Sequence, residues 1–330
     1  MALESTSNIT RPGQDGATGA IDALHIAEYT GVVHETIARK SVLEPWIPTR
    51  SVKGTSVIQS FAVGESTLQK VTPGVTPDGT VNKFGKSTLT IDTLILARDF
   101  FPLLEQWQVS YDARKHVGVE HGKKHAKFKD QAFFIQAIKA GLLTASKYTG
   151  VDGAGHGGGN QVTMNSLSDA SDPARLYSYL VDLFVKFEKR DIDPMTDDLM
   201  VVVRPDEYAI LEQNELLIDS TLKTSEGNSI QARVLKARGI PVVRSNNAPF
   251  QSTISGHLLS NTANGNAYDG DFSKVIAAVF SPQALLAGET IPMTTNVFWD
   301  PKMLQWCVDA YCSFGVTPDR GDYAGVLLAP

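Results

Sequence analysis

Polar and apolar residues alternate along two runs near the front of the chain. The outgoing run sets Thr55, Val57, Gln59, Phe61 and Val63 on one side of an extended backbone, and the returning run sets out Leu89, Ile91, Thr93 and Ile95 in the same way. Between them Pro73, Gly74, Pro77, Asp78 and Gly79 provide turn chemistry, so residues 49–97 are predicted to form a two-stranded hairpin arm. A ribbon of this kind has no second layer of its own and is marginal in water. The expectation is that its apolar side, carried by Val57, Phe61, Val63, Leu89, Ile91 and Ile95, is covered by another copy of the chain.

Helical spacing dominates elsewhere. Ile21, Leu24, Ile26, Val32, Val33 and Ile37 predict an amphipathic helix over residues 19–43, weakened by Gly31 and stopped by Pro45 and Pro48, after a polar tail of 18 residues. Ser110 and Asp112 offer a cap and a negative first turn to a helix carried to residue 146, roughly 55 Å long at 1.5 Å per residue. Its first half is charged, and Phe128, Ala132, Ile135, Ile138 and Leu142 make an apolar stripe in its second. A glycine-rich loop follows over residues 150–169. Asp172 and Pro173 then mark a helix start whose buried face is Leu176, Leu180, Phe184 and Phe187.

Buried strands are predicted at 199–203, 239–243 and 274–281. A Pro205-initiated helix to about residue 216, a helical turn at 282–287 and a strand pair at 293–298 and 303–314 complete an α+β chain without tandem repeats.

Composition narrows the function classes. With 330 residues, 42% hydrophobic and 20% charged, the chain reads as globular, and no run approaches the roughly 20 apolar residues of a membrane span. The polar, acidic start, with Glu4, lacks the pattern of a secretion signal, which fits a cytoplasmic site of synthesis. Residues 1–150 carry 17 Lys and Arg against 14 Asp and Glu, and residues 151–330 carry 13 against 22, giving net charges of +3 and −9. A pI near 5.7 argues against a dedicated nucleic-acid binder and leaves room for weak local contact only. Cys307 and Cys312, five apart in a strand-like run, point to opposite faces and suit neither a mutual disulfide nor a metal pair.

Candidate chemistry is sparse. Gly153, Gly155, Gly157, Gly158 and Gly159 resemble a phosphate loop but follow a helix and precede more loop, where a dinucleotide fingerprint needs a strand before and a helix after. Gly79 with Gly85-Lys86-Ser87 misses the P-loop spacing by one residue. His121 and His125 share a helical face, with His116 nearby, yet the zincin glutamate is absent and the flanking lysines oppose a cation. No G-x-S-x-G element occurs. An enzymatic role, catalytic residues, a cofactor or a metal are therefore not expected.

The order of elements, together with residues 29–43 (YTGVVHETIARKSVL), 201–211 (VVVRPDEYAIL), 239–243 (GIPVV) and 315–328 (GVTPDRGDYAGVLL), resembles the major capsid proteins of tailed bacteriophages with the HK97-like fold, nearest those of short-tailed podoviruses. The resemblance implies an N-terminal arm at 1–48 with Ile21, Leu24, Val33 and Ile37 on its helix, and an extended loop at 49–97 lying over an adjacent subunit. It further implies a peripheral domain at 98–171 with a spine helix at 110–146, an axial domain at 172–281, and return strands with a C-terminal segment at 282–330. The implied function is self-assembly, through hexamers and pentamers, into an icosahedral shell around double-stranded DNA. A separate scaffolding protein and a portal protein at one vertex would be partners, with assembly in the host bacterial cytoplasm, residence in the virion and no membrane. Arg114, Lys115, Lys123, Lys124, Lys127 and Lys129 are candidates for facing the lumen and the packaged DNA. The alternatives are an encapsulin-like compartment shell and a nucleotide- or metal-dependent enzyme.

Overall fold

The computed structural model describes residues 33, 35, 41–74, 76, 79, 81–102, 113–148, 151, 157–214, 222–223, 229–230 and 235–330. In chain order the strands are β1 (Thr49–Ser51), β2 (Val57–Val63), β3 (Phe84–Thr90), β4 (Ile95–Pro102), β5 (Asn160–Thr163), β6 (Met200–Val203), β7 (Leu222–Lys223) and β8 (Ser229–Ile230). They continue with β9 (Lys236–Ala237), β10 (Ile240–Arg244), β11 (Thr253–Ile254), β12 (Gly270–Asp271), β13 (Val275–Phe280), β14 (Leu285–Asp300), β15 (Gln305–Pro318) and β16 (Ala324–Leu328). The α-helices bounded among the described residues are α1 (Ala113–Leu142), α2 (Pro173–Glu188) and α3 (Pro205–Leu211). The chain divides into two compact units, one of residues 1–45, 92–129 and 289–314, the other of residues 46–91, 130–288 and 315–330.

The larger unit is organised by a six-stranded mixed sheet in the order β5-β16-β13-β6-β10-β9. β6 and β13 bury every residue they contain, which is why they read in the sequence as unbroken apolar runs. One face takes α2, whose Leu176, Leu180, Leu183, Phe184 and Phe187 pack with Val201, Val203, Ile276 and Val279. The other face takes the second half of α1, where Phe134 meets Phe280 edge-on at 6.4 Å and Trp46 meets the same ring at 5.5 Å. α2 starts where predicted. The Asp172 carboxylate accepts from the amides of Ala174 (2.9 Å) and Arg175 (3.4 Å), and Pro173 occupies the first helical position.

Three expectations change here. The second half of α1 carries no single stripe: Ala132, Phe133, Phe134, Ile135, Gln136, Ala137, Ile138 and Ala140 are all buried, as in a helix enclosed on several sides. It also ends at Leu142 rather than residue 146, because the backbone turns there and the Leu143 carbonyl accepts from the Gly159 amide at 2.7 Å. The glycine-rich loop is likewise shorter than expected. Residues 160–163 are strand β5, and Leu167–Ser171 form a 3-10 turn capped by Ser166.

In the smaller unit β4 pairs antiparallel with β15 from Gln305 opposite Pro102 to Cys312 opposite Ile95. Arg98 grips Asp309 with both nitrogens at 2.7 and 2.6 Å, and Phe128 meets Phe314 edge-on at 5.9 Å. Of the N-terminal helix positions, Val33 is helical and fully buried, while Ile21, Leu24 and Ile37 lie outside the described residues. Residues 41–43 are not helical: Ser41 accepts the Glu44 amide at 3.1 Å and Leu43 is buried.

Candidate assembly site

The register of the hairpin β2–β3 decides which residues it offers. Val57 stands opposite Thr90, Ser60 opposite Ser87, Phe61 opposite Lys86 and Val63 opposite Phe84. Alternation then sorts the side chains into two faces. The inner face carries Ile58, Ser60 and Ala62 with Gly85, Ser87 and Leu89; the outer face carries Val57, Gln59, Phe61 and Val63 with Phe84, Lys86, Thr88 and Thr90.

The inner face is covered by the chain's own body, which corrects the expectation of an arm with no core. Ile58, Leu89 and Ile91 cluster with Val52 and Leu286, and Ala62 clusters with Tyr148 and Val151. The approach is close. A Cβ at Gly288 would lie 1.9 Å from Cδ1 of Ile58, so a larger residue there would have to displace that side chain. Leu89 and Ile91 are therefore intramolecular core residues, 5% and 6% exposed, rather than inter-subunit ones. Ile95 belongs to β4, which pairs with β15 and not with the hairpin.

A polar knot joins the same face. The Asp319 carboxylate accepts from the Ser60 hydroxyl at 3.1 Å and from the Tyr148 phenol, which lies 2.8 Å from Ser60 Oγ. Burial, and then the bond to Asp319, push the Tyr148 phenol up to about 12, so it stays a donor. Lys147 donates to Thr317 Oγ1 at 2.6 Å beside the knot, and burial lowers its pKa against the pull of Asp319.

The outer face is open. Phe61 is 70% exposed, Val63 48% and Phe84 75%. Val57 is half-buried. Past the last ladder bond, from the Gly64 amide to the Lys83 carbonyl at 2.8 Å, Leu68, Val71 and Val81 are also exposed.

The basic face of α1 is narrower than its sequence suggests. Lys123, Lys124 and Lys127 are exposed, with Lys123 on Glu120 at 2.6 Å. Lys129 turns inward instead: its ammonium lies 2.5 Å from Glu44 and 5.9 Å from the Phe314 ring centre, so its charge is spent inside the unit. The side chains of Arg114, Lys115 and His116 lie outside the described residues.

The suggested metal and phosphate residues that are described are engaged otherwise, while Gly153 and Gly155 lie outside the described residues. His121 Nε2 contacts Asp99 at 2.9 Å, while His125 is buried with Nε2 3.2 Å from the Ala310 carbonyl and Nδ1 3.8 Å from the Cys312 sulfur. Burial pulls the His125 pKa down to about 4 and pushes the Cys312 thiol up to about 11. No group of three metal-ligating side chains occurs among the described residues. Gly158 and Gly159 are docked on the carbonyl end of α1: a Cβ at Gly159 would lie 2.2 Å from the Gly141 carbonyl oxygen. That helix end carries partial negative charge and repels a phosphate. The adjoining cleft of about 470 Å³ is lined by Lys186, Lys189 and Arg190. Lys186 donates to the Gln161 carbonyl, and Arg190 binds the Gly158 carbonyl and Asp322. No helix among the described residues is long and apolar enough to cross a membrane.

No known family profile and no curated protein matches the sequence. Solved structures do match. A capsid structure of the cyanophage P-SCSP1u superposes with a TM-score of 0.72 at 20% identity over 86% of each chain. The mature capsid of bacteriophage PhiM1 gives 0.71 at 22% identity over 88% of this chain and 87% of that one. A virus-like particle from Pyrococcus furiosus gives 0.53 at 11% identity over 92% and 99%. The class these likenesses define is a fold: the chain has the α+β, HK97-like fold of phage capsid proteins over most of its length. The sequence had missed Asp319, Tyr148 and Ser60, because nothing in a local pattern links three polar residues separated by 88 and 171 positions.

Proposed function

We propose that the chain is the major capsid protein of a tailed bacteriophage, with a structural and not an enzymatic role. Copies assemble through hexamers and pentamers into an icosahedral shell around double-stranded DNA. The observation that carries this reading is an arm held on its inner face with Phe61, Val63 and Phe84 exposed on its outer one, in a chain whose fold is that of phage capsids. In a shell the face of Phe61, Val63 and Phe84 is seated on a neighbouring copy. Many such modest contacts act together, since each one formed makes the next effectively intramolecular.

The parts follow. Residues 1–48 serve as the N-terminal arm, whose helix redocks between immature and mature shells, and 49–97 as the extended loop. Residues 98–171 belong with the peripheral domain, 172–281 with the axial domain, and 282–330 with the return strands and the C-terminal segment. A scaffolding protein directs assembly in the bacterial cytoplasm, and a portal protein occupies one vertex. Lys123, Lys124 and Lys127, with Arg114 and Lys115, face the lumen and offset some genome phosphate charge; Lys129 is withdrawn from that set by its pairing with Glu44.

The test is negative-stain imaging of the purified chain co-expressed with its scaffolding protein. Closed shells are expected, and small oligomers at every concentration would contradict the proposal. A second reading, an encapsulin-like compartment without a genome, draws on the coverage of the Pyrococcus furiosus particle, although its TM-score of 0.53 is well below 0.72. Ultraviolet absorbance of particles purified from infected cells separates the two, since only a genome shell absorbs as nucleic acid.

A further inference from the structure

The two faces of the hairpin pose a problem of register. Inside, small and apolar residues alternate as Ile58, Ser60, Ala62 against Gly85, Ser87, Leu89. A slip of one residue would bring the outer set inward and is forbidden by burial. A slip of two would keep the same face inward at modest cost in packing, yet it would carry Phe61 and Phe84 almost 7 Å along the arm, given about 3.4 Å per residue. Apolar packing alone discriminates weakly between such registers. A directional bond does so strongly.

We propose that Asp319 is the positioning residue that fixes the hairpin's register and its angle on the body, and that it divides the arm into an anchored half and a free half. Asp319 is 9% exposed, and its two carboxylate oxygens take separate partners, Ser60 on β2 and Tyr148 in the segment after α1. The backbone amide of Asp319 is itself held by the Ala284 carbonyl at 2.8 Å, so the carboxylate is mounted on the body of the unit. In either slipped register a residue other than Ser60 would face the carboxylate. Two residues along, that residue is Ile58 or Ala62, neither of which can donate, and a buried carboxylate would lose a charge-assisted bond.

The anchored half ends where cover ends. Ala62 packs on Tyr148 and Val151, and Gly64 closes the ladder on Lys83; residues 65–74 beyond are exposed throughout. The anchored half therefore presents Phe61, Val63 and Phe84 at a defined place, and the free half adapts to what it meets. This extends the shell reading by naming what holds the arm ready, and it stands or falls separately from it.

Hydrogen exchange on the full-length unassembled chain tests the assignment, with three variants, Asp319→Asn, Tyr148→Phe and the milder Ser60→Ala. The expected result is exchange about tenfold faster at the amides of residues 58–62 and 85–89, with those of β6 and β13 unchanged and residues 65–74 already fast in the wild type. Unchanged hairpin exchange in all three variants overturns the assignment. A uniform rise across hairpin and sheet also overturns it, by showing a general loss of stability instead. If the local response is found in a chain that never forms shells, the positioning role stands and the shell reading falls. Shells without the local response mean the reverse.

Discussion

β6 and β13 bury all their residues between two helical layers, whereas β2 and β3 cover one face, with Ser60 half-buried on it, and leave Phe61, Val63 and Phe84 in solvent. The difference lies in what each element has to meet. A strand in the middle of the mixed sheet finds its cover on both faces within its own unit, so its sequence is continuously apolar. The hairpin finds cover for one face only, and the apolar residues on its other face have no partner within the described residues. Burial is concentrated in the first region, and exposed apolar surface in the second.

Substitutions should separate these roles. Phe280→Ala, which removes a fully buried ring contacting Phe134 and Trp46, is expected to cost about 3–5 kcal/mol in chemical denaturation. A loss near zero would mean that the sheet is not the stabilising core.

Acid is expected to act next most strongly. Burial lowers the His125 pKa from 6.5 to about 4, so between those values the unfolded chain binds a proton that the folded chain does not. Stability therefore falls as pH drops from about 6.5 to 4, by up to roughly 3 kcal/mol from this residue. His257 is also lowered by burial and adds in the same direction. His125→Gln should flatten the measured pH profile in that window without abolishing it; an unchanged profile would refute the role of His125.

Gly159→Ala, which drives a methyl into the Gly141 carbonyl, is expected to cost about 1–3 kcal/mol and to lower the thermal midpoint. A neutral outcome would remove the argument that the glycines serve close packing. Ser87→Ala should be the mildest. The buried Ser87 hydroxyl has no hydrogen-bond partner among the described residues, so its removal is expected to be neutral or to stabilise by about 0.5–1 kcal/mol.

Much of this was legible in the sequence, for identifiable reasons. Asp172 and Pro173 announced α2 because capping is local chemistry, and Met200–Val203 announced a strand because burial on both faces leaves a plain record. The two sides of the hairpin were misjudged because Ile58, Ser60 and Ala62 read as the weaker alternation. Ile58 answers to Leu286, Ser60 to Asp319 and Ala62 to Tyr148, all far away in the chain. Lys129 looked like a member of a basic face, since its acidic partner, Glu44, lies 85 residues earlier. The alternation that places Phe61 and Val63 on one face of the hairpin was legible, while the bonds of Asp319 to Ser60 and Tyr148 were not.

Sedimentation velocity of the wild type beside a Phe61→Ser, Val63→Ser, Phe84→Ser triple variant, under the same assembly conditions, tests the central claim most directly. Shell-sized particles are expected from the wild type and only small species from the variant, whose denaturation midpoint stays close to that of the wild type. Shell-sized particles from the variant in wild-type yield would contradict it.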